Sequence, residues 1–349
     1  NSLDIRIKKG VIDDISVDGS LIEVSQNNTG KYQIDVNLMA NGPVQSIRKL
    51  LENESLGINE NISSIPDGIT GDTDLWANFS VPLGEFSPNK EIPFSASAKI
   101  QHARIPKAIL GKDFEKGELR IDVDGDRLRV LGISDFNGSP FTFEQETLFN
   151  NNSEVNGTKK FSLNITSTDL KKLNLPIPLE LDGMISLKAK IIDLAEGNSK
   201  VNATIDLMNS ELSISQLNWK KPLGSVGRLT VDVDIQNNKV IRLNNINLIT
   251  SDLNINAQAK ITGISKGTSK ITAVIDLINS DLSIPHLNWR KPSGSAGRLR
   301  VAADIQNSKL IKLRTINLVA ADLNLDAKAD FHEQTGRVKN IIINNLSVG

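Results

Sequence analysis

Three histidines, one aspartate triplet and two Trp-basic segments are the residues of this chain whose types suggest chemistry. His102, His286 and His332 stand far apart, and none has the HxH or HxxxH spacing by which imidazoles share a zinc ion. His286 aligns with Gln216 in an internal repeat, which marks it as a turn or surface residue. IDVDGD (121–126) resembles a calcium loop but lacks the downstream glutamate that closes one, so it reads as a hairpin turn. No GxSxG elbow, P-loop or GxGxxG is present. Asp232 and Asp234 fall on the polar side of a strand, where carboxylates serve solubility and edge protection. No catalytic residue, metal site or cofactor is expected, and the chain is read as a non-enzyme. The Trp-basic segments carry a sharper idea. Trp219 with Lys220 and Lys221, and Trp289 with Arg290 and Lys291, pair an interfacial aromatic with cations, making candidate interfacial loops for lipid headgroups. The competing reading is that each tryptophan plugs the end of an apolar face or covers a neighbouring strand.

The elements that must position these residues are written twice. Residues 199–260 and 269–330 superimpose with a shift of 70, and about 37 of 62 positions are identical. A fixed period is the signature of a repeat architecture. Within a copy, Leu229, Val231, Val233 and Ile235 alternate with Thr230, Asp232 and Asp234. This period of two puts apolar side chains on one face of a strand and polar ones on the other. Asn, Ser, Asp and Gly punctuate the runs as turn residues. Five strands per copy are predicted: 200–207, 211–217, 228–236, 239–249 and 252–262. An odd number ends on the opposite rim from its start. The loops 218–227 and 288–297, about 33 Å when extended, are assigned the return across the sheet.

Composition narrows the class. The 40 basic and 41 acidic residues nearly cancel and aromatics make up 4%, so neither a polyanion nor a base-stacking nucleic-acid partner is indicated. The absence of cysteine removes disulfides and thiol chemistry. No run of 18 apolar residues occurs, and the chain, which starts at Asn1, is read as a piece of a longer protein.

Strand patterns run from end to end. Residues 1–40 predict three or four strands, and 43–52 the best helix, with Val44, Ile47, Leu50 and Leu51 sharing a face. Short helical or irregular pieces are predicted at 106–114 and within 168–183. The expected division is 1–167 as an N-terminal part, 168–265 with copy A and 266–349 with copy B, in one elongated body. The fold class is mainly β: a long, curved, twisted antiparallel sheet forming a repeating groove, with one or a few short helices. A sheet with one apolar face must cover that face. With few helices it either packs on itself or curls into a groove whose lining meets lipid. The groove reading assigns Val201, Ala203, Ile205, Leu229, Val231, Val233, Ile235, Leu253, Ile255, Ala257 and Ala259 to the lining in copy A. In copy B it assigns Ile271, Ala273, Ile275, Leu299, Val301, Ile305, Leu323, Leu325 and Ala327, with the alanines leaving room for acyl chains.

The order GPVQSIRKLLENESLGI…GITGDTDLWANFSVPL, then FSASAKIQHARIPKAILGKDFEKGELRIDVDGDRLRVLGISDFNGSPFTF, then DLMNSELSISQLNWKKPLGSVGRLTVDVDI, resembles the periplasmic region of AsmA-like proteins of the YhdP and TamB-type group, in an α-proteobacterial form. The tandem copy of the last block departs from that pattern. The resemblance implies an inner-membrane anchor outside this segment and a periplasmic location. It also implies an apolar β-groove that moves phospholipids between inner and outer membranes, with phospholipid acyl chains and outer-membrane components as partners and no catalytic residues. The second reading is a self-packed structural or adhesive β-repeat protein of the cell envelope. A carbohydrate-active enzyme would need carboxylates converging on one face, and here they are scattered.

Overall fold

A computed structural model describes residues 2–26, 30–51, 68–83, 94–109, 112–136, 139–149, 154–168, 180–214, 219–237, 239–251, 254–262, 268–278, 280–284, 288–306, 309–320, 322–332 and 337–348. The chain divides into two compact units, Asn1–Phe161 and Ser162–Gly349, so both repeat copies fall in the second. The fold is mainly β as expected, with 23 strands in an antiparallel sheet that does not close into a barrel.

In the first unit, β1 (Leu3–Arg6), β2 (Val11–Ile12), β3 (Ile15–Ser16), β4 (Leu21–Gln26) and β5 (Tyr32–Pro43) lead into α1 (Val44–Leu51). There follow β6 (Thr70–Pro82), β7 (Phe94–Ile109), β8 (Lys112–Val123), β9 (Arg127–Phe136) and β10 (Ser139–Leu148), and β11 (Val155–Thr166) lies across the division. The ladder runs β1–β4–β5–β6–β7–β8–β9–β10, each strand antiparallel to the next. Its register lines up apolar residues strand after strand. Leu38, Ala77, Ala96, Val123 and Leu128 form one row, and Ala40, Leu75, Ala98, Ile121 and Val130 the next. Helix α1 lies over the start of these rows. Pro43 directly precedes it, and Arg48 and Lys49 sit in its last turn, where the helix dipole favours cations. Ile47 packs in a buried cluster with Ile15, Val17, Ala40, Leu75 and Ala77. Of the helical or irregular piece predicted at 106–114, the described residues are strand with an irregular register. β7 continues to Ile109 and β8 begins at Lys112, and register slips around Ile105 accommodate Pro106, which has no N–H for a ladder. Most of 168–183 lies outside the described residues.

The second unit holds β12 (Glu180–Leu194), β13 (Asn198–Asp206), β14 (Ser210–Ile214), β15 (Trp219–Lys221), β16 (Gly227–Gln236), β17 (Lys239–Thr250) and β18 (Asn254–Thr262). Copy B continues with β19 (Thr268–Asp276), β20 (Leu282–Ile284), β21 (Trp289–Lys291), β22 (Gly297–Gln306), β23 (Lys309–Ala320) and β24 (Leu323–Phe331), followed by β25 (Val338–Val348). Here the strand count of a repeat is corrected. β13 pairs directly with β16, and β19 with β22. The segments between them form hairpin arms, β14–β15 and β20–β21, and in copy A the arm also joins the start of β12, with Gly183 opposite Ser210 and Glu180 opposite Ser213. Each copy therefore gives four strands to the main ladder. An even number returns the chain to the rim it left, so no loop has to cross the sheet. The register repeats with the sequence: Ala203 faces Val231, and Ala273 faces Val301. A bulge between Leu243 and Ile246 recurs between Leu313 and Ile316. Asn245 occupies it in copy A with φ 48°, a conformation asparagine tolerates.

Truncating the helix plug should be costly. Ile47→Ala is expected to lower unfolding stability by about 2–4 kcal/mol, whereas exposed Lys49→Ala should change it little; urea denaturation of both variants checks this.

Candidate functional site

The ladder of the second unit carries an apolar residue at every step of one row. Ile191, Val201, Val233, Leu243, Ala259, Ala273, Val301, Ile316, Ala327 and Ile343 stand opposite one another in turn, from β12 through β25. Beside it runs Ile246, Ala257, Ile275, Leu299, Leu318, Leu325 and Leu346. Nine steps of about 4.8 Å make the first row about 43 Å long.

The expected lining residues share this face. Val201, Ala203, Ile205, Leu229, Val231, Val233 and Ile235 are half-buried, as are Ile271, Ala273, Ile275, Leu299, Val301 and Leu325. That exposure is what apolar residues keep when neighbouring strands flank them and no second layer seals them. Ala257, Ile305, Leu323 and Ala327 are buried. Ala257 and Ala327 therefore do not open room as expected. Ala257 lies between Ile246 and Ile275, and Ala327 between Ile316 and Ile343, and the larger residues cover them. The side chains of Leu253, Ile255 and Ala259 lie outside the described residues.

The opposite face is polar and cross-linked. Asp232 accepts from the side-chain amides of Asn202 and Asn245, and Asp234 from that of Asn244 at 3.0 Å. Both aspartates are half-buried, so they tie neighbouring strands together instead of standing free in solvent. In the first unit, IDVDGD is the β8–β9 turn, and Asp124 Oδ1 accepts the backbone N–H groups of Asp126 and Arg127 at 2.9 and 3.0 Å. His102 meets Asp72 at 3.2 Å on the surface, His332 is exposed, and His286 lies outside the described residues. Among the described residues no cluster of three His, Asp or Glu is placed to hold a metal. Trp76, which sequence reasoning did not single out, stands on the polar face, 45% exposed, beside Met39 and Ser97.

The Trp-basic segments are the hairpin arms, and their key cations face inward. Lys221 and Lys291 have no exposed surface at all. Lys291 Nζ donates to the carbonyls of Ser280 (3.0 Å), Ile278 (3.3 Å) and Pro292 (3.3 Å), three acceptors for three protons. Lys221 Nζ donates to Ser210 O at 2.9 Å and Pro222 O at 3.2 Å. The stems press on bare α-carbons: a Cβ on Gly227 or Gly297 would lie 2.4 Å from the lysine Cε. Each arm closes on the same backbone contacts, Leu207 N to Gly227 O (2.8 Å) and Leu277 N to Gly297 O (2.9 Å). Trp289 is buried, and its Nε1 donates to Asp322 at 2.8 Å across to the β23–β24 connection. Trp289 and Lys291 are thus locked into the arm and cannot present themselves to headgroups, and Lys221 is withdrawn in the same way. Among the described side chains of the two segments, Lys220 and Arg290 face solvent, engaged with Glu211 (2.9 Å) and Asp281 (2.6 Å). The Trp219 side chain lies outside the described residues. A signal for the burial was present in the repeat. Lys221, Pro222, Gly224, Ser225 and Gly227 recur unchanged in copy B, whereas exposed Leu223 and Val226 become Ser293 and Ala296.

No protein-family model, curated protein or solved structure matches the chain.

Burial pushes both buried ammonium groups below the ordinary lysine pKa, against the pull of Asp206 in one arm and of Asp276 and Asp281 in the other. The unfolded chain then keeps these protons to higher pH than the folded one. The charging cost is fully present below the folded pKa values and disappears as pH rises toward the ordinary value of 10.5. The wild-type urea midpoint should therefore rise with pH toward that value, relative to a Lys221→Met/Lys291→Met variant measured in parallel. At neutral pH, Lys291→Met alone should cost about 1–3 kcal/mol, because it removes three buried hydrogen bonds made by a charged donor.

Proposed function

We propose that the chain binds phospholipid acyl chains along the apolar face of its sheet and conducts them, as the periplasmic segment of an AsmA-like protein. The observation that carries this reading is the apolar row across ten strands of the second unit, half-buried at Ile191, Val201, Val233, Leu243, Ala273, Val301 and Ile316. Its length of about 43 Å exceeds the roughly 15 Å that one leaflet's acyl chains span in a bilayer core of about 30 Å. Removing acyl surface from water favours binding by about 25 cal/mol per Å². Because this attraction is non-directional, a chain can shift along the row from strand to strand without a dedicated pocket. Headgroups stay at the water-facing margin. In this reading the anchor that ties the protein to the inner membrane lies outside this segment, and outer-membrane components receive the lipid.

The sequence resemblance supports the same reading, and so does the chemistry of the polar face, where aspartates tie strands together. The self-packed alternative requires the row to be a dry core. Half exposure of Val201, Val233, Ala273 and Val301 speaks against it.

The test is mass spectrometry of the organic extract of protein purified from bacterial cells without detergent. Phospholipid should co-purify at one or more molecules per chain. A Val233→Asp/Val301→Asp variant should lose it, and Thr272→Asp, on the polar face, should retain it, with circular dichroism confirming that both fold. A folded, lipid-free wild type would sink the proposal and return the self-packed reading.

A further inference from the structure

The polar face of the first unit carries an exposed tryptophan with short side chains beside it. Trp76 stands opposite Ser97, Ser97 opposite Asp122, and Asp122 opposite Arg129. Three steps of about 4.8 Å place Trp76 and Arg129 about 14 Å apart along the sheet. Two residues along, Asn78 stands opposite Ser95, and the backbone of Asp124 bonds that of Arg127 at the β8–β9 turn. Tall side chains on either side of short ones leave a notch of about 400 Å³, floored by Ser95 and Ser97. A second notch of about 410 Å³ adjoins it. The two share Asn78 and Ser95, and the second runs on over Asn37, Ser80 and Asp35. Each has the volume of an ordinary ligand site.

The charges around the notches are spent on one another. Asp122 accepts from Ser97 at 2.7 Å and from Arg120 at 3.0 Å. Glu146 meets Arg127 at 3.6 Å and Arg129 at 3.5 Å. Together the notches carry Asp35, Asp122 and Asp124 against Arg127 and Arg129, so a phosphate or sulfate would find no excess of positive charge. An aliphatic ligand would cover polar groups without satisfying them. The side chains of Trp76, Asn78 and Ser95 make no hydrogen bond among the described residues. What is left open is an indole and a set of uncharged donors and acceptors.

We infer that this face binds a neutral oligosaccharide lying across both notches. The C–H face of a pyranose ring rests on the indole, whose π face is electron-rich. Its hydroxyls meet the Asn78 amide, which both donates and accepts, the Ser95 hydroxyl and the remaining lone pairs of Asp122. Two adjoining notches that share a floor suit consecutive sugar units of one linear chain. The site lies on the polar face of the first unit, so it does not depend on the acyl-chain row of the second.

The experiment titrates the whole chain with cellohexaose, chitohexaose and maltoheptaose by calorimetry, with a heparin hexasaccharide as the polyanionic control. Saturable binding of at least one neutral oligosaccharide, and none of heparin, is the expected result. Trp76→Ala should weaken that binding roughly tenfold. Ser95→Tyr, which fills the floor common to both notches, should abolish it with the indole still in place. Lys49→Ala, on α1, should leave it unchanged. Trp76 and Ser95 are both exposed, so neither change reaches the core, and circular dichroism confirms the fold of each variant. Three results would overturn the inference: no neutral oligosaccharide binds, heparin binds in their place, or folded Trp76→Ala and Ser95→Tyr bind as tightly as the wild type. Lipid content measured on the same sample separates this outcome from that of the transport reading, since a lipid-free protein can still bind the sugar.

Discussion

Register is the constraint on which the rest of this protein depends. In an antiparallel ladder, adjacent residues point to opposite faces, and a slip of one residue turns a whole strand over. The second unit keeps one apolar row in phase through nine successive pairings, across bulges that occur at matching places in both copies. A bulge adds a residue to one strand and sharpens the local twist, and the strand beyond it resumes with its apolar side on the same face. The row is thus a property of the pairings as a set. Any single strand contains only one of its residues.

The arms show how an inserted segment can leave that register undisturbed. Asp206 and Asp276 each accept a backbone N–H two residues ahead, from Met208 and Ile278, which turns the chain out of the sheet. The chain comes back at Gly227 or Gly297, in line with the strand it left. What holds the excursion is a lysine with its charge buried. Such a group is normally costly, and it is tolerated here because carbonyls of the turning backbone surround the ammonium and accept its protons. Glycine is required beneath the lysine stem because no other residue leaves it space. The arm is a polar staple, and both copies share the buried lysine, the glycine beneath it and the closing Leu–Gly backbone contact.

The two units treat their apolar faces differently. In the first, α1 and the β2–β3 flap cover one end of the rows, and Ile15, Val17 and Ile47 are buried there with Ala40, Leu75 and Ala77. In the second, the rows remain half-exposed along most of their length. Covering by a helix yields an ordinary core, whereas a face flanked only by its own neighbours stays reachable from water. The proposed function rests on that contrast.

Much was legible in the sequence alone. Alternation in runs such as LTVDVDI and the 70-residue repeat determined that the chain is β, antiparallel and modular, and which residues share the apolar face. Those features are local, set by the period of two and by turn residues, so they need no knowledge of the fold. The helix at 44–51 was legible for the same reason, since its apolar spacing and preceding proline act within a few residues. Only the tertiary structure decided that β14 and β15 are not inserted between β13 and β16 but form an arm against the start of β12, because their alternation resembles that of a sheet strand and only the direct pairing of β13 with β16 excludes them from that place. It alone turned Lys221 and Lys291 inward, because the carbonyls that make burial of an ammonium tolerable come together only once the arm has closed. It alone covered Ala257 and Ala327, because the residues that shade them come from neighbouring strands 10–20 residues away in sequence. Period and punctuation are written along the chain; parity of strands, burial of charge and shading of small residues arise between strands.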